Sequence, residues 1–246
     1  MIIHMSSTCE EVNGERRVFW VLGGTSGLGY LTSSRLALDG EVFALGRNIA
    51  IANQVGLNTI RGNLSDESTW EILRRNIDSN ASIDGLVYNV GGSFGMHGWQ
   101  NCVENYEEIF RLNFLYAVRA VDFFLPHLLR SKSPRIVLVL SKCVRDFSGN
   151  TPYVAAKLAL LGYLRSVAPK LAAMGVGLSG VSPGALDYEH RYPGRLKQTG
   201  GDEWLSFVRE NCVSGDLVSA EKVAEVICLL LREPSLCFSG SVLDVN

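Results

Sequence analysis

The stretch Arg17-Val-Phe-Trp-Val-Leu22, followed at once by Gly23-Gly-Thr-Ser-Gly-Leu-Gly29, limits what this chain can fold into more than any other. A mostly apolar run of strand character ends at a glycine turn and passes into a helix-compatible segment reaching Leu38. Glycines at 23, 27 and 29 allow a tight turn and let the backbone approach an anion lying on the positive end of the following helix. In a strand-turn-helix setting that anion is read as a dinucleotide pyrophosphate. The plainer alternative is a glycine turn needed only for close packing of strand and helix.

The alternation continues along the chain. Further strands are expected at 41–45, 57–60, 83–88, 136–140, 176–181 and 241–245, the sixth ending at Pro183-Gly184. Helices are expected at 105–129, where Phe110, Phe114, Ala117 and Val121 recur at three- and four-residue steps, at about 151–174, and at 220–231. Strands alternating with helices imply an α/β fold: a single doubly wound parallel sheet, Rossmann-like, flanked by helices on both faces. A chain of 246 residues with 47% apolar content suffices for one such domain, and no linker or repeat divides it. Residues 1–15 read as a flexible N-terminal arm and 16–246 as the dinucleotide-binding catalytic domain. Ligands of such folds bind outside the carboxyl ends of the strands.

Two groups of residues follow those ends. Tyr153 and Lys157 are four apart and share a helix face, and Ser141 lies twelve residues upstream of the tyrosine, just past the fifth strand. A nearby lysine ammonium favours the phenolate and brings the phenol towards neutral proton transfer. Past the second strand stands Leu45-Gly46-Arg47-Asn48, with no carboxylate for an adenosine ribose, while Arg47 can grip a 2′-phosphate. NADP(H) is therefore favoured over NAD(H).

From Arg17 to Asn246 the chain resembles the short-chain dehydrogenase/reductase family. The resemblance is carried by Leu22-Gly-Gly-Thr-Ser-Gly-Leu-Gly29, Tyr88-Asn-Val-Gly91, Asn113 in Arg-Leu-Asn-Phe, Ser141, Tyr153-Val-Ala-Ala-Lys157, Pro183-Gly184 and the closing Phe238-Ser-Gly-Ser-Val-Leu-Asp-Val245. It implies Tyr153 as proton donor to a carbonyl, or base towards an alcohol, with Ser141 holding the carbonyl oxygen. Lys157 would lower the tyrosine pKa and bind the nicotinamide ribose, and Asn113 would position a water linking Lys157 to solvent. The cofactor contacts it implies are Gly23, Thr25, Ser26, Gly27, Leu28, Gly29, Arg47, Asn63, Leu64, Asn89, Gly91, Tyr153, Lys157, Pro183, Gly184 and Leu186. The departures are Leu22 for a threonine, Tyr88 for the first asparagine, Asn63 for an aspartate, Tyr188 at or near a threonine position, and a Ser141–Tyr153 spacing one residue shorter than the family's.

Substrate is expected between Gly91 and Trp99, where Phe94, His97 and Trp99 could form an aromatic wall, in the segment 142–152, and under a mixed-charge lid at about 187–216. The expected substrate is a small-molecule carbonyl or alcohol. A net charge of −2 and a pI near 6.1 give no footprint for nucleic acid or an anionic membrane. Cysteines 9, 102, 143, 212, 228 and 237 form no C-x-x-C pair and no metal grouping, so reduced thiols, no metal and a cytoplasmic location are expected. The resemblance also implies a homodimer or homotetramer built on helix faces. Two other readings stand beside the reductase: a catalytically idle dinucleotide-binding sensor or scaffold, and a sugar-nucleotide epimerase or dehydratase.

Overall fold

A computed structural model describes residues 16–54, 57–77, 81–93, 98–188 and 192–246. The arm at 1–15, Phe94, His97, Glu189 and Arg191 lie outside the described residues. Strand β1 (Arg17–Leu22) leads into α1 (Gly27–Leu36), β2 (Gly40–Gly46), α2 (Ala50–Gln54), β3 (Asn58–Arg61) and α3 (Glu67–Asn76). Then come β4 (Gly85–Tyr88), α4 (Val103–Phe110), a π-helical turn (Arg111–Leu115), α5 (Tyr116–Leu128) and β5 (Arg135–Val139). The chain finishes with α6 (Cys143–Asp146), α7 (Thr151–Ala172), β6 (Gly177–Pro183), α8 (Tyr192–Thr199), α9 (Gly201–Asn211), α10 (Ala220–Arg232) and β7 (Val242–Val245).

The seven strands form one parallel sheet in the order β3-β2-β1-β4-β5-β6-β7. Direction reverses between β1 and β4, which opens a crevice at their carboxyl ends. Because side chains alternate along a strand, β1 sends Phe19 and Val21 to one face and Trp20 and Leu22 to the other. On the first face they meet Leu28 and Leu36 of α1 and Val223, Ile227 and Leu231 of α10. On the second they meet Trp70 of α3, Phe124 of α5 and Leu160 and Leu164 of α7. Trp20 stacks on Phe43 at 4.7 Å and tilts against Phe124 at 5.2 Å. Burying a side chain of this size stabilises the fold by about 1.5–3 kcal/mol, so this two-sided core dominates its stability.

Two departures from the sequence expectations matter. The helix expected unbroken from 105 to 129 is interrupted by the π turn, which inserts one residue into the ladder and turns Asn113 inward until it is fully buried. The segment expected as a lid, 187–216, holds two helices among its described residues, α8 and α9, and is tied at its ends by Lys197, whose Nζ donates to Asp187 at 2.9 Å and Asp216 at 3.1 Å.

Candidate active site

The glycine turn is held from three sides. The amides of Gly23 and Gly24 both donate to Leu45 O at 2.9 Å, Ser33 Oγ donates to Gly24 O at 3.1 Å, and Asn89 Nδ2 donates to Gly23 O at 3.1 Å. Gly23 and Gly27 have φ of +79° and +52°, which strain any L side chain. A Cβ on Gly29 would lie 1.8 Å from Gly23 O, so this glycine serves the packing of helix on turn. Thr25 serves packing as well: it is buried, and a Cβ on Gly46 would sit 1.8 Å from its Oγ1. That close approach draws the end of β2 onto the turn and leaves Arg47 exposed beside it.

Ser26, at the N-cap of α1, is exposed and its side chain makes no capping hydrogen bond. The first amides of α1 have no partner within the helix, so they form a donor set for an anion. The turn therefore fits a dinucleotide pyrophosphate: backbone donors, positive φ and an exposed glycine meet at the crevice mouth. Leu28 and Leu64 are core side chains, 5% and 3% exposed, and only their backbone can reach a ligand. Asn63 Oδ1 accepts from Ser65 N at 3.4 Å and keeps a second lone pair. Gly184 is fixed through its amide to Val245 O at 2.8 Å, and Leu186 bridges to Val218.

The second cluster lies past β5. Tyr153 and Ser141 share a side-chain hydrogen bond despite the short spacing. The loop closes because Phe147 takes a left-handed φ of 56°, Gly149 a φ of 114°, and Asn150 caps α7 by accepting from Tyr153 N at 2.8 Å. Lys157, 3% exposed, reaches down to donate from Nζ to Val139 O at 2.8 Å, and that nitrogen lies 5.7 Å from the Tyr153 ring centre. Asn113 Nδ2 donates to Gly92 O and Ile109 O, both at 3.0 Å, while its Oδ1 accepts from Gly92 N at 3.0 Å. A Cβ on Gly91 would lie 2.5 Å from Asn113 Oδ1 and 3.3 Å from Lys157 Nζ, so these three residues converge.

Electrostatics run against one expectation. Burial pushes the Tyr153 phenol above its ordinary value, with nearby Cys143 adding to the rise and the Ser141 hydrogen bond opposing it. Burial also lowers the Lys157 ammonium to about 8. In this geometry the lysine does not pull the phenol down, because its donor points at a carbonyl and desolvation dominates both groups.

Sequence reasoning missed what Tyr88 and Lys142 do. Tyr88, 1% exposed at the end of β4, donates from Oη to Leu112 O at 2.6 Å and anchors the π turn that carries Asn113. Its strand-end position was legible, but its reach into the next helix was not. Lys142, next to Ser141, donates to Asp146 at 2.7 Å and to Asn211 of α9 at 3.2 Å, tying α9 to the loop after β5. Trp99, which its sequence position offers either for an aromatic wall or for loop packing, is 74% exposed.

The fold is that of the dinucleotide-binding α/β class. The "short chain dehydrogenase" family matches residues 17–197, and the chain belongs to it. Among curated relatives, the 3-oxoacyl-(acyl-carrier-protein) reductase FabG of Aquifex aeolicus is 26% identical over 96% of this chain and 98% of its own. An uncharacterized oxidoreductase of Staphylococcus epidermidis is 28% identical over 70% of this chain and 79% of its own. A short-chain dehydrogenase/reductase structure from Serratia marcescens superposes with a TM-score of 0.80 at 20% identity, over 94% of this chain and 96% of that one.

Proposed function

We propose that the chain is an NADP(H)-dependent oxidoreductase that interconverts a ketone and a secondary alcohol on a small organic substrate, with Tyr153 as acid and base. The observation that carries this reading is the convergence of Ser141, Tyr153 and Lys157 at the carboxyl end of the sheet, the end at which the glycine turn also lies. Gly23, Gly27, Gly29 and Ser26 would hold the pyrophosphate, Arg47 the 2′-phosphate and Asn63 the adenine. Asn89, Gly91, Pro183, Gly184 and Leu186 would line the path to the nicotinamide, which supplies or accepts the hydride when bound. Ser141 donates to the substrate carbonyl oxygen. Tyr153, its phenol held protonated at neutral pH by burial, passes its proton to that oxygen in reduction and recovers it in oxidation. Lys157 supplies charge beneath the phenol and binds the ribose, and Asn113 holds the Gly91–Gly92 backbone and a water leading from Lys157 to solvent.

Relatives named as 3-oxoacyl-(acyl-carrier-protein) reductases make β-ketoacyl thioesters the first substrates to try. The test is NADPH consumption with β-ketoacyl thioesters, keto-sugars, ketosteroids and quinones. Tyr153→Phe should lower kcat at least about a hundredfold on any substrate found, the usual weight of a positioned proton donor; unchanged turnover sinks the assignment. Dinucleotide binding without turnover of any class would leave an idle sensor or scaffold. Arg47→Ala should cut the preference for NADPH over NADH about tenfold, through lost charge-assisted hydrogen bonds, and an unchanged ratio removes Arg47 from the site. A homodimer or homotetramer in the cytoplasm belongs to the same reading and is checked by light scattering and fractionation. Among the described residues no helix is long and apolar enough to cross a membrane and no metal-holding cluster occurs, and the five described cysteines are free.

A further inference from the structure

We propose that Tyr188 is a stopper on the cofactor cradle: its phenol sits where the pyrophosphate must approach Gly27, and the ring has to swing out before a dinucleotide can bind. The inference rests on the dinucleotide reading above. Each glycine of the turn faces something different. The missing Cβ of Gly23 faces Asn89 and that of Gly29 faces the Gly23 carbonyl, both parts of the turn's own packing. The missing Cβ of Gly27 faces Tyr188, with Oη at 3.3 Å, Cζ at 3.4 Å and Cε1 at 3.7 Å from the position it would take. Gly27 is exposed and opens α1, so this is the face across which a phosphate would reach the first helical amides. A phosphate oxygen bonded to those amides lies about 3 Å from them. The phenol oxygen lies 3.3 Å from the point a Gly27 Cβ would take, so the ring covers the approach to that residue.

The backbone beneath the ring is fixed, so the movement belongs to the side chain. Asp187 N donates to Val218 O at 3.0 Å, Tyr188 N to Leu186 O at 3.1 Å, and the Asp187 carboxylate is paired with Lys197. The ring is half-buried against the cluster that contains Leu28.

A stopper seated about 90% of the time weakens apparent affinity about tenfold, because only the open fraction binds. Fluorescence titration and stopped-flow association with NADPH should therefore show Tyr188→Ala binding about tenfold tighter and faster than wild type. Tyr188→Phe, which keeps the ring, should bind as wild type does. A crystal structure of the wild-type chain with NADP+ gives an independent readout, in which the ring is displaced from Gly27. The inference is overturned if wild type binds NADPH and Tyr188→Ala binds equally or more weakly, or if the ring stays seated beside a bound pyrophosphate. Weaker binding by Tyr188→Phe would overturn it too, by making the hydroxyl a phosphate donor. Absence of binding of NADPH and NADH to every variant would overturn both this inference and the dinucleotide reading.

Discussion

Lys157 is a cation enclosed beside the Tyr153 phenol with one carbonyl as its hydrogen-bond acceptor. Its pKa, lowered from 10.5 to about 8, has a thermodynamic signature. Between those values the unfolded chain binds a proton that the folded chain has released, so stability rises as pH climbs through this window and is lost as pH falls back through 8. Tyr153 acts in the other direction only above its ordinary value of 10.0, because burial keeps its proton on in the folded state. Urea unfolding at pH 7, 8, 9 and 10 should show wild type gaining on Lys157→Met up to about pH 10; parallel curves would place the lysine in a wetter site. The Tyr153–Lys157 pairing was legible because four residues make about one helical turn. The direction of the tyrosine shift was not, since it depends on burial in the folded chain and on the neighbouring Cys143, neither of which the motif shows.

The elements show why part of the site stayed hidden. A π turn keeps apolar residues at three- and four-residue steps on either side of it, so Phe110 to Val121 read as one helix although its phase slips at Arg111–Leu115. The short Ser141–Tyr153 connection closes through a positive φ at Phe147, a residue no turn rule would nominate. At the other end of β5, Arg135 is 5% exposed and donates from Nε to Glu233 O at 2.9 Å, from Nη1 to Pro134 O at 2.7 Å, and from Nη2 to Ser235 O at 3.1 Å and to Pro234 O. It pins the turn that follows α10. Arg135→Met removes the donors that hold the carbonyls of Glu233, Pro234 and Ser235 and should cost roughly 2 kcal/mol in chemical denaturation. Turnover per folded molecule should stay the same, because Ser141 lies past the opposite end of the strand.

At the scale of the whole molecule the alternation of apolar strands and helices was the most legible property, and every expected strand falls within two residues of its place in the structure. Strand order was less so: periodicity says which face a residue takes, not which neighbour it pairs with. That order shapes how the chain is made. β1, an interior strand of the sheet, pairs with β2 soon after synthesis, but its other neighbour β4 arrives only after α1, β2, α2, β3 and α3 have been translated. At about 5–20 residues per second, one side of β1 spends several seconds on the ribosome as an open edge flanked by Phe19 and Trp20. Stalled nascent chains ending before Gly85 should be cut readily by protease and those extending beyond β6 should resist it; equal sensitivity would mean the first three strands fold as a unit. The interior strand that supports the glycine turn is thus exposed to chaperones and to aggregation for longer than its place inside the finished sheet suggests.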